Sequence, residues 1–407
     1  MERIIIVGGG PSGVMAGIFA KRENNEVLVL ERNAHPFKKL LMTGSGKCNY
    51  FNEVYGTSFY HSHHMDIVEQ ILTTDNIESV KSFFDSIGLV SKIKNGYYYP
   101  FTFQASTMEK LLLQEAERKK VSILTNQFVL KIEKNNNDFH VVTDEEEYFC
   151  DRLILACGSK AYPKTGSDGM GYEFLKMFHH TIIPPVPALV QLVGKESFFP
   201  IWDGVRAEVE VELFENQQFI SREVGEIQLT RYGVSGICIF NLSHFVSRGL
   251  LEGKEEVIKI NFVPFISTLV SVWMDDYSKK QTYKTMEELL SGFLNPKLVT
   301  IILQESHISK NSFYADLTNE QKLILCRNLR SFPITIMDTK GFDSCQICSG
   351  GVSLDEINPH TMESLKMKGL YIVGELLDMN GNCGGYNLTT CWISGMLAGK
   401  SIGDQND

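Results

Sequence analysis

The stretch from Met1 to Glu31 limits the possible folds more than any other. Arg3-Ile4-Ile5-Ile6-Val7 is a short β-branched run, the pattern of a strand buried on both faces. It leads into Gly8-Gly9-Gly10-Pro11-Ser12-Gly13, which satisfies G-x-G-x-x-G. A helical segment, VMAGIFAKRE, follows, and Glu26-Val27-Leu28-Val29-Leu30 predicts a second strand ending at Glu31 and Arg32. A glycine fingerprint alone is a weak signal. Here it follows a strand, opens a helix and has an acid about 20 residues on, the full context of a dinucleotide-binding Rossmann unit in an α/β fold. Gly8 permits the tight turn, Gly10 lets the backbone approach a pyrophosphate, and Gly13 lets the helix pack closely on the strand. The free N–H groups at the helix start bind the anion, which brings Pro11 and Ser12 into the site. Glu31 can accept hydrogen bonds from a ribose diol.

Two further glycine segments refine this reading. Leu40 to Asn52 reads LLMTGSGKCNYFN, and its GSGKC core resembles the tail of a P-loop. The strict pattern fails, because Leu41 stands where the first glycine belongs and Cys48 where the magnesium-binding hydroxyl belongs. Nucleotide hydrolysis is therefore not expected. Near the C-terminus, Leu370-Tyr371-Ile372-Val373 predicts another buried strand, ending in Gly374-Glu375. A helix then opens at Gly384-Gly385-Tyr386-Asn387-Leu388, with Gly395, Ala398 and Gly399 small enough for close packing. The chain thus returns to its first fold and presents a second helix N-terminus there. Aimed at a flavin pyrimidine edge, that terminus would stabilise the anionic reduced form, a need NAD enzymes lack. FAD is the expected cofactor.

With 407 residues, two or three packing units are expected. The formal net charge of −10 gives no global pull towards nucleic acid. No apolar run is long enough to cross a bilayer, and MERIIIVGGG is not a signal peptide. Nine scattered cysteines, an odd number, then point to reduced thiols in a cytoplasm.

The blocks VGGGPSGVMAG, LLMTGSGKCNYFN, LILACGSKAYPKTGSDGMGYE, GEIQLTRYGVSG, SGGVSLDEINPHTMESL and GLYIVGELLDMNGNCGGYNL carry a family resemblance over essentially the whole chain. The chain resembles bacterial NAD(P)/FAD-dependent oxidoreductases, a family that includes a bile-acid-intermediate reductase and a 23S ribosomal RNA dihydrouridine synthase. The resemblance implies that the loop after the second strand wraps the flavin. Thr43, Gly44, Gly46, Lys47, Cys48 and Asn49 would lie near the isoalloxazine or ribityl chain, after Lys39 and Leu40. Lys39 and Lys47 would offset phosphate or reduced-flavin charge. Ala156, Cys157 and Gly158 would end a further cofactor strand, and the Val129 backbone would meet the adenine. Gly374 and Glu375 would meet the ribityl and pyrophosphate, and Arg32 would join the cofactor-binding set.

Between these halves the pattern changes. VRAEVEVEL, Val205 to Leu213, alternates as a half-exposed antiparallel strand does, and Glu226 to Thr230 and Ile258 to Val263 are similar. Thr285 with Glu288, and Thr318 with Gln321, form capping-box patterns at two helix starts. The expected organisation is an FAD-binding domain over 1–188 and 351–407, an inserted β-barrel over 189–265 and 334–350, and a helical insert over 266–333.

Several candidates carry a bland reading beside a functional one. Cys345-Gln346-Ile347-Cys348 spells C-x-x-C, but in a strand the two thiols point to opposite faces, so ordinary buried cysteines are expected. Cys48 is either a proton donor, the catalytic candidate, or a small apolar filler. His61-Ser62-His63-His64 lacks a completing ligand set and is expected to be a solvated run with no metal. His179-His180 is expected to close a helix. NGYYYPFTF, Asn95 to Phe103, either stacks a planar substrate or packs in the core. The expected function is a cytoplasmic FAD-dependent oxidoreductase that reduces an activated double bond of a small molecule with NAD(P)H as donor. Uridine reduction in ribosomal RNA and a non-enzymatic flavin redox sensor are the alternatives.

Overall fold

The computed structural model describes residues 1–135 and 138–404. They form two compact units, Met1–Val186 together with Gln346 onward, and Pro187–Cys345. The first unit is built on a five-stranded parallel sheet in the spatial order Leu370–Ile372, Arg152–Leu155, Glu2–Val7, Asn25–Leu30, Ser122–Leu124. Ile4, Ile5 and Ile6 are fully buried, as the β-branched run requires. Glu2–Val7 pairs with Asn25–Leu30 on one side and Arg152–Leu155 on the other. The chain therefore reverses direction across the sheet at the end of its first strand. That switch point is where open α/β sheets hold ligands.

The first helix spans Pro11–Ala20, starting earlier than the VMAGIFAKRE segment. Proline at the first helical position has its φ already set for a helix and lacks a donor that would have no partner there. The C-terminal helix, Tyr386–Asp404, packs directly on it. A Cβ at Gly395 would stand 2.4 Å from the Ser12 carbonyl oxygen, and one at Gly399 would stand 2.5 Å from that of Ala16. The small residues of this helix therefore do permit the close packing that their spacing predicts. An antiparallel sheet of Val129–Lys134, Phe139–Thr143 and Glu147–Cys150 completes the unit's strands on this side.

The second unit holds a closed six-stranded barrel in the order Leu192–Gly194, Gly233–Gly236, Gln218–Thr230, Arg206–Glu215, Glu256–Asn261, Phe332–Thr339. Val209, Val211 and Leu213 point inward and are fully buried, so the alternation read from VRAEVEVEL is a barrel strand. Four helices, Val270–Lys279, Met286–Leu290, Pro296–Glu305 and Asn319–Arg330, are inserted between the last two strands. Both capping boxes form, at Thr285 with Glu288 and at Thr318 with Gln321. Pro333 sits inside the last strand, beside its first residue, where a missing donor is tolerated. The helix Ile237–Leu251 gave no sequence signal, because it has no capping side chain and is apolar around much of its circumference. No helix among the described residues is long and apolar enough to cross a membrane.

Candidate functional site

The three fingerprint glycines do three different things. Gly8 has φ +112°, and a Cβ there would stand 2.3 Å from the Ala156 carbonyl oxygen. Gly13 is equally constrained, with its Cβ position 2.0 Å from the Gly8 carbonyl oxygen. At Gly10 a Cβ would meet nothing within 4 Å, so the chain is open there. Helix geometry leaves the N–H groups of Ser12 and Gly13 without carbonyl partners inside the helix, and no side chain caps this terminus. The result is an open, electropositive cradle suited to a pyrophosphate. Ser12 lies against Gly374, whose own Cβ position would be 2.5 Å from the Ser12 hydroxyl oxygen. The first and last segments of the chain are thereby brought together.

At the end of the second strand, the buried Glu31 carboxylate accepts hydrogen bonds from the N–H of Gly9 at 2.8 Å and of Asn33 at 2.7 Å. It braces the glycine turn, and its remaining lone pairs can still accept from a diol. Arg32 pairs with Asp168 at 2.6 Å, donates to the Gly166 carbonyl at 3.0 Å and stacks on Phe128. Val129 follows that phenylalanine, and Gln127 donates its backbone N–H to the Glu31 carbonyl at 2.9 Å. Ala156 donates to the Val7 carbonyl, and Gly158 takes φ +73° beside Cys157, whose thiol burial pushes up to about 12.

Lys39 and Glu375 form an ion pair, although they come from opposite ends of the chain. Ser159 donates to the same carboxylate at 2.9 Å. Between Leu40 and Gly46 the chain makes two tight turns across a kink, with Gly44, Ser45 and Gly46 at positive φ. Cys48 also has positive φ, at 58°. For a residue with a Cβ this costs roughly 1–2 kcal/mol, so the shape is imposed by its surroundings. Leu40 is buried beneath the turn, Thr43 donates to its carbonyl at 2.6 Å, and Lys47 is exposed. The Cys48 side chain is fully enclosed by protein, and burial pushes its thiol up to about 12. It thus stays protonated and faces no surface. Next to it, Asn49 Oδ1 is buried with no hydrogen-bond partner among the described residues. A buried amide oxygen in that state costs about 1–3 kcal/mol unless a ligand donor meets it.

At the C-terminal helix start, Gly384 and Gly385 have φ +138° and +92°. A Cβ at Gly385 would stand 2.7 Å from the backbone of Phe51, and Asn52 donates to the Gly384 carbonyl at 3.0 Å. Tyr386 stacks on Phe59 and donates to the Val54 carbonyl at 3.0 Å. Asn387 uses both amide groups on the backbone of Gly381, at 2.8 Å each. Leu388 packs on the core.

Some sequence expectations need correction. His61-Ser62-His63-His64 is only partly solvated: His63 is exposed, but all three histidines are tied to distant parts of the chain. His61 Nε2 meets Asn382 Oδ1 at 3.0 Å, His63 Nδ1 meets Asp378 Oδ2 at 2.9 Å, and His64 Nε2 meets Ser353 Oγ at 3.1 Å. The partners lie hundreds of residues away, beyond any local pattern. No group of three or more His, Cys, Asp or Glu side chains suited to a metal occurs among the described residues. His179 and His180 follow the helix Met170–Met177 rather than close it, and His180 is buried against Ser364 Oγ at 2.8 Å. Cys345 precedes the strand Ile347–Val352 and only Cys348 lies in it; both are buried. In NGYYYPFTF the tyrosines of the strand Tyr97–Pro100 are all half-buried; Tyr98 packs on Tyr50 and Phe51, and Tyr99 on Phe103.

Residues 2–401 match the family model of the HI0933-like protein Rossmann domain. The chain is 39% identical over 408 residues to a 3-dehydro-bile acid delta(4,6)-reductase of Clostridium scindens, covering 100% of both chains. It is 24% identical to a ribosomal RNA dihydrouridine synthase of Haemophilus influenzae, covering 98% of each. A 3-ketosteroid-delta4-(5alpha)-dehydrogenase from Rhodococcus jostii RHA1 shares the fold, with TM-score 0.50 and 13% identity over 99% of this chain and 97% of that one. The residues present fit FAD: the open cradle at Gly10 suits a pyrophosphate, and the orphaned Asn49 oxygen awaits a donor such as those a flavin presents.

Proposed function

The chain belongs to the HI0933-like Rossmann family of flavin-dependent oxidoreductases, and from that premise we propose that it is a reductase of carbon–carbon double bonds conjugated to a carbonyl. The observation that carries this reading is the 39% identity, without gaps in coverage, to a bile-acid reductase. Bound FAD supplies hydride transfer. The chain's own residues hold the dinucleotide at Ser12 and Gly13, brace the turn through Glu31, and set the Lys39–Glu375 pair beside the returning segment. We assign Gly8, Gly10, Pro11, Arg32, Thr43, Gly44, Gly46, Asn49, Ala156, Gly158 and Gly384 to the same cofactor surface. The donor in this reading is NAD(P)H. One complete G-x-G-x-x-G fingerprint occurs, so the nucleotide meets the flavin from the substrate side instead of on a second Rossmann unit.

The substrate in this reading is a small, apolar enone of the 3-oxo-4,6-diene bile-acid type. The uracil ring of a dihydrouridine synthase presents the same chemistry, a double bond conjugated to a carbonyl. A net charge of −10 weighs against a polyanionic partner. Anaerobic titration of the purified holoprotein with NADPH and then NADH tests the donor. Bleaching of the flavin by either is expected. A flavin that dithionite reduces and neither nucleotide does would refute NAD(P)H as direct donor, and salt-dependent capture of ribosomal RNA would then favour the uridine reading.

A further inference from the structure

Hydride delivery to one end of a conjugated double bond leaves the other end needing a proton. We propose that His63 is the general acid that supplies it, with Asp378 as its positioning residue; this rests on the reductase reading above.

The geometry is that of an oriented imidazole. Asp378 is 1% exposed, and its Oδ2 accepts both the backbone N–H of His63 at 3.0 Å and the ring at Nδ1, 2.9 Å away. The His63 side chain is 52% exposed, so the ring is gripped on one side and open on the other. The ring has no other hydrogen-bond partner among the described residues, which leaves Nε2 without a protein partner there. A latch alone does not need this ring. The segment is already fastened by the His63 N–H, by pairing of Tyr60–His61 with Asn380–Gly381, by His61 on Asn382 and by His64 on Ser353. What the ring bond adds is a fixed tautomer and a fixed direction, the pattern of a base or acid held by a third group.

Its place in the fold is also suitable. Asp378 lies on the segment that links Glu375 to the Gly384-Gly385 turn. Gly381 on that segment is held by the Asn387 amide, and its Cβ position would stand 2.6 Å from the Tyr386 Cβ. The other titratable groups around the pair are His61, His64 with Asp355 at 3.6 Å, and Tyr172, which feels both Asp378 and Glu375. In the step itself, the β-carbon takes hydride from flavin already reduced by a nicotinamide nucleotide, and the α-carbon takes the proton from His63 Nε2. The C=C bond becomes a single bond, the flavin is left oxidised, and neutral His63 regains its proton from water.

The test uses the holoprotein with a 3-oxo-4,6-diene bile acid as probe. His63→Gln is expected to slow substrate-driven flavin reoxidation by about 100-fold or more. In D2O, wild type should place deuterium on one face of the α-carbon and His63→Gln on both. Asp378→Asn removes the carboxylate that orients the ring, so kcat should fall by about 10-fold or more with KM little changed, and deuterium in D2O should again appear on both faces. Histidine-labelled NMR should show a slowly exchanging His63 Nδ1–H in wild type that is lost in Asp378→Asn, independently of turnover; Asp378→Glu, which keeps an acceptor, should restore it. Wild-type rates and single-face labelling in His63→Gln would overturn the inference while the reductase reading stands. A wild-type flavin that the bile acid cannot reoxidise would overturn that reading and this inference with it.

Discussion

Replacing Glu256 with glutamine should stabilise the barrel unit at alkaline pH and flatten its pH dependence. Glu256 is 1% exposed and lies directly across the strand pair from Glu215. Neither of its carboxyl oxygens has a hydrogen-bond partner among the described residues. Burial first, and the Glu215 carboxylate second, push its carboxyl up to about 8. In the unfolded chain it titrates near roughly 4.3. Between those values the folded state holds a proton that the unfolded state releases, so stability falls as pH rises through the window and levels off above it. The whole shift corresponds to ~5 kcal/mol. Lys254, 2.9 Å from Glu215 and one-third exposed, brings solvent and a compensating charge to the site. Screening there reduces the effect to ~2 kcal/mol.

The assay is thermal melting of wild type and Glu256→Gln between about pH 5 and pH 9. Tryptophan fluorescence reports the unit well, because Trp202 and Trp273 lie in it and only Trp392 lies elsewhere. The variant should melt ~4–8 °C above wild type at the alkaline end and converge with it at the acid end. Parallel melting curves across the range would refute the argument.

Three other perturbations bear on the cofactor unit. Gly395→Ala puts a Cβ 2.4 Å from the Ser12 carbonyl, so the C-terminal helix must recede; a loss of ~1–3 kcal/mol and weaker FAD retention, measured by gel filtration and flavin absorbance, are expected. Lys39→Met leaves the Glu375 carboxylate without its cation; FAD affinity should fall at least ~10-fold, with a smaller effect in Lys39→Arg. Cys48→Ala should cost ~1–2 kcal/mol of thermal stability and little turnover, since the enclosed thiol stays protonated; a ~100-fold fall in kcat with stability unchanged would restore the proton-donor role.

Features set by local backbone demands were legible in the sequence. The Gly8 turn, the close approach of Gly13 and Gly395, the two capping boxes and the barrel alternation each follow from neighbours within a turn or a strand. The long-range pairings were not. Lys39 and Glu375 are 336 residues apart and His63 and Asp378 are 315 apart, so only the returning fold brings them together. The HSHH run looked solvated because polar residues in a row read the same whether they face water or a distant strand. Cys48 admitted two readings because a glycine-rich loop is compatible with an exposed thiol and with a small filler; the left-handed conformations between Gly44 and Cys48 go with a side chain buried in the protein.

The most direct measurement reduces the holoprotein's flavin anaerobically with one equivalent of dithionite and then adds a 3-oxo-4,6-diene bile acid. The account predicts that the yellow absorbance returns and that mass spectrometry finds a product heavier by two hydrogens. A flavin that stays reduced over many minutes, with the bile acid recovered intact, would contradict it.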